Sequence, residues 1–324
     1  MPVKLIRHYW IDLLITSVVD LVSQIAIVTD DPGWHGRELV TALKNHGLGA
    51  HYLSLTECQF TFDHTDQFVH IPGFENRLPL GVFVRGVPGG TLEQVIFRLD
   101  ILHALVNMGI TVYNDPHAIE RTVDKAMTTL LLKMAGLPTP NTWVLESMEH
   151  AQQICEQEFA QGRSLILKPI FGSQGIGVHR ITPESGLIHD EKFASLYYLQ
   201  SFLERDNAEW SDIRVFVING KAIAAMRRCS DKWITNRAQG ARCEQLAIDS
   251  GLAHLAEAAV RAVNISYAGV DLIPDANGKL QVIEVNSIPA WFGLQGVTDF
   301  NIAGYLIDDF VRCIGEKHAL TVLS

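Results

Sequence analysis

A chain of 324 residues that is 48% hydrophobic has enough apolar material for more than one buried core, and two or three domains are expected. A formal charge of −10 argues against a general nucleic-acid or membrane-surface binder. Five widely spaced cysteines, with no CxxC pair, HExxH or Cys/His cluster, offer neither a zinc site nor a disulfide framework, which favours a reducing cytoplasm.

Residues 1–23 stand apart. Lys4 and Arg7 precede an apolar run from Trp10 to Val22, superficially like a signal peptide. Asp12 and Asp20 interrupt the run, no A-x-A site follows, and it is too short to span a bilayer. An N-terminal extension, or a helix packed on the body or on a partner subunit, is expected. A homo-oligomer therefore stays open.

Strands and helices then alternate. "QIAIVTD" (24–30) predicts a strand, "GRELVTALKNHG" (36–47) a helix, and "PLGVFVRG" (79–86) a second strand. The spacing predicts a helix over 91–109, with Thr91 and Gln94 as a capping box, a stripe of Val95, Leu99, Leu102 and Val106, and Gly109 as its stop. This alternation implies a parallel α/β domain over 24–115. A short helix from Thr122 to Ala135 is expected to end at Gly136, Pro138 and Pro140.

"SLILKPIFGSQGIGVHRI" (164–181) follows as strand, glycine turn and strand, with Lys168 on the first strand and Gly172, Gly175 and Gly177 in the turn. Closely spaced glycines let backbone N–H groups approach an anion, and the neighbouring lysine points to phosphate. The pattern lacks the Gly-Lys-Ser/Thr of a Walker loop and is GxxGxG, so an ordinary hairpin fits it equally well when taken alone. Two further hairpins follow. "DIRVFVINGKAIAAMRR" turns through Asn219-Gly220, and "AGVDLIPDANGKLQVIEVN" through Pro274 to Lys279. In the latter, Glu284 and Asn286 share a face by alternation. If Ile273 faces Leu280, Asp271 lies opposite Val282 and diagonal to Glu284, with Val270, Leu272, Ile283 and Val285 buried behind. Two carboxylates and an amide oxygen suit Mg²⁺ or Mn²⁺. A half-solvated hairpin is the plainer account of these three residues alone. Phosphate lysines together with metal carboxylates make an ATP site.

The ordered set "VDKAMTTLLLKMAGLPTP", "LILKPIFGSQGIGV", "LQSFLE", "DIRVFVINGKAIAAMRR", "WITN" and "AGVDL…IEVNSIP", from about residue 120 to 300, resembles the ATP-grasp superfamily and within it the RimK-like α-L-glutamate ligases. The resemblance implies an ATP-grasp fold, α/β plus α+β, with an N-terminal pre-ATP-grasp domain, a small lid subdomain over 116–198 and a C-terminal subdomain over 199–324. It implies that Lys125 and Lys168 hold the ATP phosphates. Gln200, Ser201 and Phe202 would be a hinge acting mostly through backbone, and Asp212, Arg214, Thr235 and Asn236 would line the ribose-phosphate side. Arg228 would lie near the γ-phosphate, and Asp271, Glu284 and Asn286 would bind two Mg²⁺ or Mn²⁺ ions. Read without the family, Lys125 is an ordinary solvated lysine, and Asp212 with Arg214 an ordinary surface ion pair.

The implied chemistry is ATP-dependent joining of a carboxylate to an amine through an acyl phosphate, with the protein positioning reactants and neutralising charge. No nucleophilic side chain is required, and no GxSxG signature is present. Segment 84–125 resembles the subgroup that adds L-glutamate to tetrahydromethanopterin. Other acceptors within the family are a ribosomal protein tail, a deazaflavin and methylofuran. A non-catalytic ATP-binding regulator is the competing class. Arg85 is a candidate for the acceptor carboxylate, or else a cap for the next helix. Gln239 stands where the family pattern has an arginine, which Arg237 or Arg242 would replace.

Overall fold

The computed structural model describes residues 24–63, 68–172, 174–188, 196–204 and 209–323. The expectation for residues 1–23 lies outside them.

Three sheets carry the described chain. The first is parallel, ordered β2-β1-β5-β6, from β1 (Ile25–Val28), β2 (Ala50–Leu53), β5 (Gly81–Val84) and β6 (Thr111–Tyr113). All of β1 and β5 is buried, as expected of parallel strands covered on both faces. Helix α1 (Gly33–Asn45) joins β1 to β2, and α2 (Leu92–Asn107) joins β5 to β6. Between them β3 (Gln59–Phe60) and β4 (Val69–His70) pair as a small ribbon. The Thr91–Gln94 capping box forms in full. The buried stripe of α2 is Arg98, Ile101, Leu102 and Leu105, about one position round from the expected one. Arg98 turns inward because its guanidinium binds the carbonyls of Pro88 and Gly89, and the stripe follows it.

The helix expected over 122–135 is two helices. α3 (Pro116–Val123) and α4 (Lys125–Met134) break at Asp124, whose Oδ1 accepts the Ala126 and Met127 N–H groups at 2.8 and 3.0 Å. An aspartate with extended backbone satisfies the orphan donors of a new helix start, so it restarts the helix.

The second sheet is antiparallel, ordered β7-β10-β8-β9, from β7 (Thr142–Leu145), β8 (Leu165–Lys168), β9 (His179–Ile181) and β10 (Tyr197–Ser201), backed by α5 (Met148–Phe159). β10 completes this sheet, so the boundary expected at 198/199 cuts through a strand. The third sheet is ordered β13-β12-β11-β14-β15, from β11 (Trp210–Ile218), β12 (Lys221–Ser230), β13 (Arg242–Gln245), β14 (Tyr267–Pro274) and β15 (Leu280–Asn286). The β11–β12 turn has Asn219 and Gly220 at φ 50° and 68°, as the sequence predicts. α6 (Ser250–Val263) covers one face of this sheet, burying Val215, Val217, Val270, Leu272, Val282 and Val285.

The first sheet and the last described helix share a core. After the short α7 (Phe292–Gln295), α8 (Ile302–Leu323) packs on α1 and β6, with Ile302, Ala303, Leu306, Ile307 and Phe310 fully buried. Tyr113 donates to Asp309 at 2.7 Å. Buried Asn114 ties the first sheet to the third, donating to the carbonyls of Tyr267 and Ser287 and accepting from the N–H groups of Ser266 and Tyr267.

Candidate active site

A cleft open to solvent lies between the second and third sheets. Its lining includes Lys125, Lys168, Gly175, Gln200, Ser201, Phe202, Asp212, Arg228, Thr235, Asn236, Asp271 and Glu284, residues far apart in sequence.

The third sheet supplies the charged wall. β11 pairs Asp212 with Arg228 of β12 and Arg214 with Asp271 of β14. The side chains follow the register. Arg228 binds Asp212 at 2.6 and 2.5 Å, and Arg214 binds Asp271 at 2.7 and 2.6 Å, both as forked pairs. Arg228 also reaches Asp271 at 3.0 Å, and Thr235 bonds to Asp212. Asp212 and Arg214 are thus not each other's ion-pair partners. In an antiparallel sheet the directly opposed neighbour is nearer than the residue two along the same strand. Burial pushes the Asp271 carboxyl up, but Arg214 and Arg228 outweigh it and hold it down at about 2. Arg228, expected beside the γ-phosphate, lines the cleft with its donors committed to the two aspartates.

The β14–β15 register corrects the sequence expectation. Pro274, not Ile273, faces Leu280, and a bulge at Ile283 brings Asp271 directly opposite Glu284. The extra residue leaves Ile283 and Glu284 both facing the cleft, while Val282 takes the core position expected for Ile283. Asn286 donates its Nδ2 to the Gly269 carbonyl at 3.3 Å, which leaves the amide oxygen as an acceptor.

The second sheet and α4 supply the cations. Ile166 and Lys168 alternate onto the cleft face of β8. Lys168 is 9% exposed and donates to Gln200 Oε1 at 2.7 Å. Gln200 in turn donates to Thr142 Oγ1 at 3.0 Å and Tyr198 Oη at 3.3 Å. The Gln200 side chain thus links Lys168 to β7 and β10, beside the backbone role expected of it. Burial lowers the Lys168 ammonium to about 8, against the opposing pull of Glu284. Burial also lowers Lys125, which donates to the carbonyls of Ile170 and Gly172 at 3.3 and 2.7 Å and so holds the glycine loop. Gly175 and Gly177 both sit at φ 72°. At Gly175 a Cβ would stand 2.8 Å from Ile234 and 2.9 Å from Asn236 Oδ1, so the loop tip rests on that segment. Ser201 Oγ is buried and unpaired among the described residues.

The apolar walls (Ile166, Val178, Trp210, Trp233 and Ile283) escaped the sequence reading. Strand alternation from Lys168 would have found Ile166; the loop residue Trp233 carried no such signal.

The three arginines expected at the substrate side separate. Arg242 is exposed and bound by Glu209 and Glu244, outside the cleft lining. Arg85 does not cap α2; it donates to the Pro289 carbonyl at 3.1 Å, 4.7 Å from the Trp291 ring centre. Arg237 follows the cleft residue Asn236 and sits 4.6 Å from the Phe292 ring centre. Between them His35 Nε2 accepts the backbone N–H of Trp291 at 3.1 Å, and burial, then Arg85 and Arg237, lower its imidazole to about 4. Trp34 meets Phe292 edge-on at 5.0 Å. Two guanidinium groups and several aromatic rings thus form a shelf beside the cleft.

The model of the RimK-like ATP-grasp domain matches residues 122–310. The tetrahydromethanopterin:alpha-L-glutamate ligase of Methanocaldococcus jannaschii is 36% identical over 226 residues, covering 67% of this chain and 76% of that one. A probable alpha-L-glutamate ligase of Shewanella baltica is 28% identical over 309 residues, 92% of this chain and 97% of its own. Among solved structures, the ATP-grasp ligase PsnB complexed with a minimal precursor variant, Mg and ADP superposes with a TM-score of 0.70 at 21% identity, covering 91% of this chain and 100% of that chain. A RimK domain protein from Sphaerobacter thermophilus superposes with a TM-score of 0.61 at 17% identity, covering 88% and 98%. The chain belongs to the RimK-like ATP-grasp family and is an ATP-dependent ligase.

Proposed function

We propose that this protein joins the amino group of L-glutamate to a carboxylate of a small coenzyme acceptor of the tetrahydromethanopterin kind. The observation that carries the reading is one cleft holding Lys125 and Lys168 on one side and Asp271 and Glu284 on the other. ATP would lie between the second and third sheets, its base against Ile166, Phe202, Trp210 and Trp233 and its phosphates toward the two lysines. The donor set of Asp271, Glu284 and the Asn286 amide oxygen is all oxygen and fits Mg²⁺. Bound there, Mg²⁺ would supply charge neutralisation on the phosphates. The reading extends to Mn²⁺ and to a pair of ions, which ion counting in the nucleotide complex tests.

The acceptor carboxylate attacks the γ-phosphorus and ADP leaves. The glutamate amine then attacks the acyl carbon, loses a proton and displaces phosphate, which carries off one former carboxylate oxygen. Lys168 and Lys125 hold the transferring group, while Arg228 and Arg214 fix the position and charge of Asp271. Closure of the glycine loop on Asn236 would exclude water. The shelf suits a flat acceptor with an acidic tail, rings against Trp34 and Phe292 and carboxylate toward Arg85 and Arg237. This chemistry and the two arginines favour a small acceptor over a peptide.

The test incubates protein, ATP, Mg²⁺ and glutamate with each candidate acceptor, reading glutamyl addition by mass spectrometry. Acceptor carboxylate labelled with ¹⁸O should deliver label to phosphate, with ADP as coproduct. AMP with pyrophosphate would overturn the acyl phosphate, and no turnover with any acid–amine pair would overturn the ligase reading.

A further inference from the structure

A second cluster of metal-ligating side chains lies outside the cleft, where α2 crosses α3. His117 and Glu120 are three residues apart on α3 and share a face, which meets His103 of α2. One carboxylate bridges the two imidazoles: His103 Nε2 stands 2.7 Å from Glu120 Oε1, and His117 Nδ1 stands 3.3 Å from Glu120 Oε2. The two rings lie 4.3 Å apart. One ligand atom from each residue already falls within 4.8 Å of the others.

We propose that His103, His117 and Glu120 bind one zinc-class divalent ion. Two borderline imidazole nitrogens beside one carboxylate are the set that late first-row metals take, whereas magnesium prefers all-oxygen ligands. The cluster thus differs in kind from the all-oxygen set of Asp271, Glu284 and Asn286. Three protein ligands leave a fourth position for water, and the access exists: the side chains of His103, Glu120 and His117 are 21%, 38% and 65% exposed. Little ordering is needed on binding, since both helices already hold the three donors together. The ion would replace the protons that Glu120 now shares with the histidines. It would also join the α2–α3 contact to the cleft, because α3 leads through Asp124 straight to Lys125 and packs on β15, which carries Glu284.

The test uses tag-free full-length protein freed of metal by chelator. Zn²⁺ is titrated in competition with a chromogenic zinc indicator, and Co²⁺ in parallel for its visible ligand-field bands. One tight Zn²⁺ equivalent is expected, weakened at least about tenfold in His117→Asn and in His103→Asn. Cobalt bands of tetrahedral intensity should vanish in both variants and persist in Glu284→Gln, which alters only the cleft. Circular dichroism checks folding, and the exposed His117 keeps the test valid if His103→Asn fails to fold. Unchanged Zn²⁺ affinity in His117→Asn, or loss of the bound ion in Glu284→Gln alone, would overturn the proposal.

Discussion

The charged wall of the third sheet and the glycine loop facing it are built on opposite principles. On the wall, every one of Asp212, Arg214, Arg228 and Asp271 is committed to a forked ion pair, and Arg228 is 2% exposed. Across the cleft, Phe171 and Ile176 stand 66% and 69% exposed, and Lys125 is the cation that tethers the loop. The wall is preorganised before any ligand arrives; the loop touches the Ile234–Asn236 segment at Gly175 but leaves Phe171 and Ile176 in solvent. Electrostatic stabilisation requires fixed dipoles, whereas substrate entry requires something that moves.

The largest effect should come from the wall. Arg228→Met leaves Asp212 buried without its partner, and urea unfolding should show a loss of about 3–5 kcal/mol. A loss below about 1 kcal/mol would mean the wall relaxes as readily as the loop. Lys168→Met should act differently. Loss of a charge-assisted contact to phosphate is expected to weaken ATP roughly 10–100-fold by calorimetry, with the melting temperature nearly unchanged. Collapse of melting with ATP affinity intact would make Lys168 a structural residue.

The depressed Lys168 predicts a pH dependence that separates it from the wall. Phosphate favours the protonated ammonium, so above about pH 8 ATP must bring a proton with it, and affinity should fall by up to about tenfold per pH unit. Stability moves the other way. Between about pH 8 and the ordinary lysine range the unfolded chain holds the proton and the folded chain does not, so folding strengthens as pH rises. Lys168→Arg should flatten the affinity profile. The smallest effect belongs to the loop. Gly175→Ala and Gly177→Ala each impose about 1 kcal/mol of left-handed strain. Only at Gly175 does the new methyl meet Ile234 and Asn236; at Gly177 the nearest atom is Pro169 at 3.5 Å. ATP KM should therefore rise several-fold more for Gly175→Ala. Equal effects would show that the loop does not close on that segment.

Local signals carried much of the fold. The Asn219-Gly220 turn, the Thr91 capping box and the strand–helix alternation each depend on neighbours in sequence, and each appears where the residues indicate. Failures arose where a distant partner decides. The bulge at Ile283 shifts register by one residue, which no alternation pattern reveals. The choice of Arg228 over Arg214 as partner to Asp212 is made by strand pairing. The side-chain bonds of Gln200 to Lys168 and Thr142 likewise depend on strands that arrive from elsewhere. The helix break at Asp124 is locally encoded, as an N-cap residue just before Lys125.

Helix α8 has a consequence for how the molecule is made. The parallel sheet built from the first strands is covered on one side by Leu306, Ile307 and Phe310, some two hundred residues later. During synthesis α1 can pack Leu39 and Leu43 on that side early, but the α8 part of the cover comes much later, and loop-closure entropy weighs against so distant a contact. The early sheet is thus a layer with part of its cover outstanding, and apolar surface left exposed in that interval is open to misassembly.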